Sequence, residues 1–183
     1  MTYLKIAIQK SGRLNEDSLN LLKECGISIN NGADQLMAQA SNFPLEVLYL
    51  RNSDIPQYVR DGVADVAILG ENTEIEKRTG NRRVLPLGFS RCRVSMAVPR
   101  DVPYEGLSYF QGKKIATSYP NTLSDFLKRE GIQAEIHEIS GSVEIAPGID
   151  LQTQVLDQME FMPKIAEDLK LMDERIFKDE LMG

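Results

Sequence analysis

The sequence is poor in the residues that build disulfide frameworks and metal centres. Its 183 residues contain no tryptophan, one histidine and two cysteines. Cys25 and Cys92 lack the spacing of metal ligands, and two isolated cysteines in a chain of this kind are more often free thiols than a bridge. Because a chain of this length can bury a core without a disulfide, we expect a globular protein with free thiols and no metal ligands.

Long apolar runs and an export signal are missing as well. No stretch approaches the ~20 consecutive apolar residues that a membrane helix needs. The N-terminal stretch "MTYLKIAIQKSGRL" has a short apolar core interrupted by Lys5, and no small-residue cleavage site follows it. We therefore expect a cytoplasmic protein with no membrane partner.

Positive charge is scarce and unevenly distributed. The formal net charge is −6, and the nine acidic and four basic residues from Asp150 to the end account for −5 of it. Because binding to nucleic acid depends on an excess of positive charge, we expect no nucleic-acid partner. The isolated cations of the nearly neutral part, residues 1–149, are better suited to small anions.

Apolar strands alternate with helices along most of the chain, which is typical of an α/β fold with largely parallel sheets. Strands are predicted at 3–8, 45–50, 63–70, 92–99, "KKIATS" and "AEIHEIS", and helices at "NEDSLNLLKECG" with Asn15 as N-cap, "SDIPQYVRDG" and "YPNTLSDFLKREG". A loop-rich stretch after Pro99 separates two groups of these elements. The predicted domains are a first lobe at 1–98, a second and incomplete lobe at 99–149, and a tail at 150–183.

The tail is predicted to be helical and amphipathic. Its apolar residues recur at three- and four-residue spacing from Val155 to Ile176, with acids and lysines between them. Since proline is best tolerated in the first turn of a helix, Pro163 indicates two helices, at about 151–161 and 163–181. Packing of this tail on its own protein, or on a second copy in a homo-oligomer, is favoured over recognition of another partner.

Four polar loops follow predicted strands, where the C-terminal ends of parallel strands form binding sites. They are "QKSGR" (9–13), "GEN" (70–72), "TSYPNT" (117–122) and "SGSVE" (140–144). Each has a structural alternative: Lys10 and Arg13 could be surface cations, Glu71 a helix cap, and Thr117 and Ser118 turn residues. All four loops should converge on one edge, which favours a binding role.

Motifs of nucleophilic and metal-dependent hydrolysis are missing: the sequence has no GxSxG, HExxH or CxxC. Displacement at a sugar carbon with pyrophosphate as leaving group needs no covalent intermediate. Such a reaction depends on positioning, on cations and often on Mg²⁺. The polar loops suit this chemistry better than hydrolysis.

Five segments resemble ATP phosphoribosyltransferase, the family that opens histidine biosynthesis by joining adenine N1 of ATP to phosphoribosyl pyrophosphate (PRPP). They occur in the family's order and spacing over residues 4–149. The segments are "IAIQKSGRL" (6–14), "IPQYVRDGVADVAILGEN" (55–72), "LGFSRCRVSMAVP" (87–99), "KIATSYPN" (114–121) and "ISGSVEIAPGI" (139–149). The resemblance implies two α/β lobes like those of a periplasmic binding protein, with ATP and PRPP bound in the cleft and Mg²⁺ as their companion.

The resemblance also implies a substrate-binding set, while the catalytic residues stay unknown. The set comprises Lys10, Ser11, Gly12 and Arg13 on the nucleotide or phosphate side, Glu71 and Asn72 in a cleft wall, Arg91, Cys92 and Arg93 near the lobe crossover, Thr117 and Ser118 in the second-lobe wall, and Ser142 and Glu144 in the "GSVE" motif.

The similarity ends after "APGI" (146–149). There the family has a loop containing glycine and threonine that binds PRPP, whereas this sequence has "DLQTQVLDQMEF" (150–161), with Thr153 and no glycine. Two functions therefore stay open, beside a weaker third in which the acidic tail docks on a partner subunit. One is a phosphoribosyltransferase whose catalysis is impaired by the missing loop, and the other is a module of the same fold that binds a nucleotide or anion without turnover.

Overall fold

The structure is a computed structural model that describes residues 2–30, 35–99 and 102–140, together with the backbone of two strands at 153–159 and 169–177. The chain divides into two compact units, Met1–Ser90 and Arg91–Gly183. In the described part no helix is long and apolar enough to cross a membrane. Cys25 and Cys92 are both free of disulfides, as predicted.

Unit 1 contains a four-stranded sheet in the order β2-β3-β1-β4. The central strand β1 pairs in parallel with β3 and β4, and β2 pairs antiparallel with β3. Its elements are β1 (Leu4–Gln9), α1 (Arg13–Glu24), β2 (Met37–Gln39), β3 (Leu45–Leu50), α2 (Ile55–Arg60), β4 (Val66–Ala67) and α3 (Glu71–Lys77).

The burial pattern of unit 1 explains its strand order. Three consecutive residues of β1, Ile6, Ala7 and Ile8, are buried, as expected for a strand covered on both faces. In β3 the buried residues alternate, with Val47 completely buried between two less buried neighbours. The strand with the continuous apolar run therefore lies inside the sheet, and helix α1 adds Leu14 and Leu22 to the same core.

Unit 2 contains a five-stranded mixed sheet in the order β7-β6-β8-β5-β9. Strand β6 pairs in parallel with β7 and β8, whereas β5 pairs antiparallel with β8 and β9. Its elements are β5 (Cys92–Pro99), a 3₁₀ turn (Leu107–Phe110), β6 (Lys114–Thr117), α4 (Pro120–Glu130), β7 (Glu135–Glu138), β8 (Thr153–Met159) and β9 (Leu169–Phe177).

The core of unit 2 lies between its sheet and α4. Met96 of β5, Phe110 of the 3₁₀ turn, Ile115 of β6 and Leu123 of α4 are completely buried and belong to one cluster. The ends of α4 follow the prediction, because Pro120 opens the helix and Gly131 closes it in the left-handed conformation, with φ of 70°.

The prediction of helices in the tail is wrong at residues 153–159 and 169–177, which form strands β8 and β9. Strand β5 explains the difference. Its residues from Val94 to Val98 are buried, so backbone N–H and C=O groups on both of its edges need partners away from water. Pairing with β8 and β9 supplies those partners and overrides the helical spacing of the apolar residues. The remainder of the predicted helices lies outside the described residues.

The pairing of β5 with β8 and β9 also bears on the predicted boundaries of the lobes and the tail. Strand β5 belongs to unit 2, whereas the predicted first lobe extends to residue 98, eight residues beyond the division after Ser90. Residues 150–183 likewise fall within unit 2, because β8 lies between β6 and β5 in its sheet.

Candidate functional site

Three polar segments meet at one edge of the unit 1 sheet. In the parallel register, Gln9 at the end of β1 lies opposite Leu50 at the end of β3, and Ala67 at the end of β4 lies opposite Ala7. The loops that follow these three strands therefore leave the same edge, with the loop after β1 in the middle. Because ligands of open α/β sheets bind at such edges, this is the candidate site of unit 1.

The loop after β1 is held in shape by backbone and side-chain hydrogen bonds. The Lys10 N–H donates to the carbonyl of Leu50 at 2.8 Å, and the side-chain amide of Gln9 donates to the carbonyl of Ser11 at 2.7 Å. Gly12 has a φ of 86°, a conformation that favours glycine. Lys10, Ser11, Gly12 and Arg13 are all exposed, so the predicted cations are available to a ligand.

Helix α1 starts three residues earlier than predicted, with Gly12 and not Asn15 as its N-cap. The helix begins at Arg13 because the conformation of Gly12 turns the chain at once, and Asn15 lies in the first turn. The Asn15 amide instead donates to the carbonyl of Gln9 at 2.7 Å and closes the loop. Gly12 provides no capping side chain, so the N–H groups of the first turn are left to solvent or to an anion, beside two cations.

The first turn of α3 brings Glu71 and Asn72 to the same edge. The carboxylate of Glu71 accepts a hydrogen bond from the guanidinium of Arg83 at 2.6 Å, with side-chain exposures of 35% and 55%. Asn72 is buried and folds back over Gly70, where its Oδ1 occupies the space that an added Cβ would need. Glu71 is thus the accessible part of the predicted "GEN" segment, and Asn72 is part of its support.

A side-chain bond joins the loop after β3 to α3. The amide nitrogen of Asn52 donates to Thr73 Oγ1 at 2.7 Å, and Asn52 Oδ1 is buried without a hydrogen-bond partner. Because β1 lies between β3 and β4, this bond connects the segments on either side of the β1 loop. Sequence reasoning missed Asn52; its position two residues after a buried strand was the signal that could have found it.

The C-terminal end of α3 is stabilised by a second carboxylate. Glu74 accepts hydrogen bonds from the hydroxyl of Thr79 at 2.6 Å and from the backbone N–H of Asn81 at 3.0 Å. Arg78 between them has a φ of 52°, which ends the helix. This cluster holds the start of the segment that carries Arg83.

The predicted residues of unit 2 lie at one edge of its own sheet. Thr117 pairs with Val155 of β8, which pairs with Met96 of β5, so these three residues form one row across the sheet. Because β5 is antiparallel to β8, its first residues Cys92 and Arg93 lie beyond that row, on the side where β6 ends. Arg91 and Ser118 are exposed at the same edge.

Thr117 has a structural role. It is completely buried, and its hydroxyl oxygen accepts a hydrogen bond from the N–H of Tyr119 at 2.8 Å. This contact forms the turn into α4, which is the alternative that the sequence left open. Ser142 and Glu144 lie outside the described residues. The structure therefore gives two groups of predicted residues, one at the sheet edge of each unit.

The described residues form no built metal site. They contain no group of three His, Cys, Asp or Glu side chains that could hold an ion. The unit 1 edge offers an exposed loop with two cations, an uncapped helix start whose first turn also carries the exposed Glu16, and the Glu71 carboxylate paired with Arg83. This combination can bind and orient a phosphate group.

Comparisons with known proteins show the family to which the chain is similar. A family model described as ATP phosphoribosyltransferase, HisG, matches residues 51–170. The ATP phosphoribosyltransferase of Cytophaga hutchinsonii is 56% identical over 156 residues, which make up 85% of this chain and 54% of the relative. The chain thus spans about half the length of the curated relatives it matches.

Two solved structures define the fold. A chain of the ATP phosphoribosyl transferase (HisG:HisZ) complex from Thermotoga maritima is 26% identical, with a TM-score of 0.76 over 95% of this chain and 83% of that one. An arginine transport periplasmic binding protein from Legionella pneumophila is 12% identical, with a TM-score of 0.56 over 96% of this chain and 81% of that one. The predicted likeness to periplasmic binding proteins is therefore confirmed.

Proposed function

The chain belongs to the ATP phosphoribosyltransferase family, and from this premise we propose that it takes part in the first step of histidine biosynthesis. The reaction joins ATP to PRPP and gives phosphoribosyl-ATP and pyrophosphate. The observation that carries the proposal is the loop after β1, where exposed Lys10 and Arg13 flank Gly12 at the uncapped start of α1.

The proposed reaction is a displacement at C1 of the PRPP ribose. Adenine N1 of ATP forms the new bond to C1 while the bond from C1 to the pyrophosphate oxygen breaks, and its electron pair leaves with pyrophosphate. Lys10, Arg13 and the N–H groups of the first turn of α1 would hold phosphate oxygens and favour negative charge at this edge. Their fixed arrangement would keep the reacting groups in line, which is a large part of the work in a displacement without a covalent intermediate.

Magnesium has a place in this proposal only as a companion of the phosphates. Mg²⁺ keeps several waters and is usually bound through one or two carboxylates together with substrate phosphates. The described residues form no cage for it, and Glu71, the carboxylate at the unit 1 edge, is engaged by Arg83. We assign no metal ligand among them and route no step through the ion.

A second candidate is a module that binds ATP or another phosphate-bearing anion without turnover. Its basis is that the sequence after Gly148 has no glycine before Gly183, the residue type that usually gives a phosphate-binding loop its flexible backbone. The family model that matches residues 51–170 and the relatives named ATP phosphoribosyltransferase do not favour it. The two candidates share the unit 1 edge and differ only in PRPP binding and product formation.

Separate titrations of ATP and PRPP with Mg²⁺ present, followed by an absorbance assay for phosphoribosyl-ATP, test the proposal. Binding of both ligands and formation of product would support the transferase. Binding of ATP without PRPP binding or product would favour the module. Binding of neither ligand would contradict both.

The role of the β1 loop is tested by Arg13→Ala. Loss of a charge-assisted contact of about 1.5–3 kcal/mol should weaken ATP binding by roughly 10- to 150-fold. Lys23→Ala is the matched control, because Lys23 is an exposed cation in the last turn of the same helix. Equal affinities of the two variants by calorimetry would remove Arg13 from the site.

The surroundings of the protein follow from the same proposal. We place it in the cytoplasm, with ATP and PRPP as its ligands, and as a homo-oligomer. Leu36, just before the edge strand β2, and Met37, its first residue, are 69% and 52% exposed, and this apolar surface at a sheet edge favours association. A strict monomer in analytical ultracentrifugation at micromolar concentration would remove the oligomer from the proposal.

A further inference from the structure

Arg83 lies in a segment without helix or strand, yet it contacts the candidate site. Its guanidinium is 2.6 Å from the carboxylate of Glu71, twelve residues earlier in the chain. Glu71 is the first residue of α3 and leaves the sheet edge next to the loop of Lys10 and Arg13. A carboxylate and two cations thus share one edge.

An unpaired carboxylate at this edge would repel the proposed ligands and weaken their binding. ATP, PRPP and pyrophosphate are polyanions, and like charges separated by less than a Debye length repel each other through the solvent. The Arg83 guanidinium cancels the charge of Glu71 at contact distance. The charge of Glu71 then no longer opposes the positive charges of Lys10 and Arg13 on the β1 loop.

We infer that Arg83 sets the affinity of this edge for phosphate-bearing ligands by neutralising Glu71. The inference rests on the proposed function, because it assumes that the ligand is a polyanion bound beside the β1 loop. Arg83 acts on the ligand through Glu71 and through the local charge.

A purely stabilising role does not account well for this pair. The two side chains are 55% and 35% exposed, and ion pairs of that kind contribute little to folding stability. The C-terminal end of α3 is already held by Glu74, Thr79 and Asn81. Removal of the Arg83 charge should therefore leave the fold intact and change binding.

The adjacent Arg82 offers a matched control. It is an exposed arginine on the same segment, and the structure shows no ion pair between it and Glu71. Arg82→Gln removes the same charge from the protein as Arg83→Gln and leaves the Glu71 pair in place. The difference between the two variants isolates the effect of uncovering Glu71.

The experiment is calorimetric titration of inorganic pyrophosphate and of ATP into the full chain and its variants at low ionic strength. Arg83→Gln should weaken binding about fivefold and Arg82→Gln less than twofold, while Arg83→Lys should retain most of the affinity. In a Glu71→Gln background, Arg83→Gln should cost less than twofold, because no carboxylate is left to uncover. The difference should shrink when salt is added.

Two outcomes would overturn the inference while leaving the proposed function in place. One is equal binding by Arg83→Gln and Arg82→Gln, and the other is an undiminished loss in the Glu71→Gln background. If the unsubstituted chain binds neither pyrophosphate nor ATP, the proposed function fails and the inference fails with it. Circular dichroism melts of each variant check that all of them are folded.

Discussion

The two units build their sheets from different kinds of contact. In unit 1 all four strands lie between Leu4 and Ala67, and the central strand β1 is parallel to both neighbours. In unit 2 strand β5 is paired on both sides with strands that follow it by more than fifty residues, and both pairings are antiparallel. The two sheets therefore differ in the direction of these pairings and not in their distance along the chain, because β1 also pairs with β4 across sixty residues, from Ile6 to Val66.

Because β8 lies inside the unit 2 sheet, the largest predicted losses of folding stability are those of proline substitutions in β8. Gln154 and Val155 each pair with both β6 and β5, so a proline at either position removes a backbone donor inside the sheet. Each substitution should cost about 3 kcal/mol or more in the free energy of unfolding of unit 2. Urea unfolding followed by circular dichroism would measure it.

Strand β9 provides the control, because it lies at the edge of the same sheet. Backbone N–H groups of an edge strand alternate between the sheet and solvent, and a proline at an outward-facing position is tolerated. Of Lys170→Pro and Leu171→Pro, one should be severe and the other should cost less than about 1 kcal/mol. In a helix both substitutions would be severe. Severe destabilisation by both would therefore contradict the strand assignment.

Residues 4–67 show how far sequence patterns reach. The apolar runs "YLKIAI" and "LEVLYL" predicted β1 and β3 to within one residue, because a buried parallel strand has a continuous apolar sequence. The strand predicted at 63–70 is shorter, at Val66–Ala67, since only these residues pair with β1. Boundaries depend on partners, which the local pattern does not contain.

Residues 150–183 show where such patterns fail. Apolar residues at three- and four-residue spacing satisfy a helix in isolation, but the same residues can be placed in a sheet when a buried strand offers two open edges. The deciding feature is the burial of β5, a property of the folded unit 2. No window of the tail sequence contains that information.

The sequence predicts where the loops of the candidate site lie. It does not predict the side-chain contacts between them. "QKSGR" and "GEN" follow strands in the sequence, so their placement at one sheet edge could be derived from the order of elements alone. The contacts of Asn52 with Thr73 and of Glu71 with Arg83 span 21 and 12 residues. Such contacts depend on side-chain geometry in the folded unit, which neither spacing nor composition specifies.

The second prediction compares how the two units hold their loops. Thr73→Val in unit 1 removes the acceptor of Asn52, a bond between separate segments, and should cost about 1–3 kcal/mol because the amide is left without a partner. Thr117→Val in unit 2 removes a hydrogen bond between residues only two apart in sequence, which the N–H of Tyr119 donates to the Thr117 hydroxyl.

Hydrogen exchange distinguishes the two cases. Thr73→Val should lower protection both in α3 and in the loop after β3, whereas Thr117→Val should affect only the turn into α4. Asn52→Ala combined with Thr73→Val should cost less than the two single changes together, since they share one bond. Additive costs would contradict the proposed link between the segments.

The third prediction concerns two completely buried serines. Ser18 in unit 1 donates from Oγ to the carbonyl of Leu14 at 2.6 Å, whereas Ser95 Oγ in unit 2 is buried without a partner among the described residues. Ser18→Ala should destabilise by about 1 kcal/mol, because a hydrogen bond is lost. Ser95→Ala should be neutral or stabilising by up to about 1 kcal/mol, because a desolvated hydroxyl is removed. Equal losses in urea unfolding would show that Ser95 has a partner.

The smallest predicted effect is a loss of folding stability at alkaline pH, caused by Tyr109 in unit 2. Burial raises the pKa of Tyr109 above its ordinary value of 10.0, because the phenolate would lose hydration. The folded state then holds its proton at pH values where the unfolded chain has released it. The stabilisation from Tyr109 is therefore complete below pH 10.0 and is lost as pH rises through the higher folded pKa.

Tyr109→Phe isolates this contribution, since the phenyl ring can keep the edge-to-face contact with Phe110 at a centroid distance of 5.3 Å. The free energy of unfolding of the unsubstituted chain, relative to that of Tyr109→Phe, should stay constant up to pH 10.0 and decrease above it. Urea titrations on both sides of that pH would measure the difference. A difference that stays constant or grows with pH would mean that the phenol is not desolvated beside the unit 2 core.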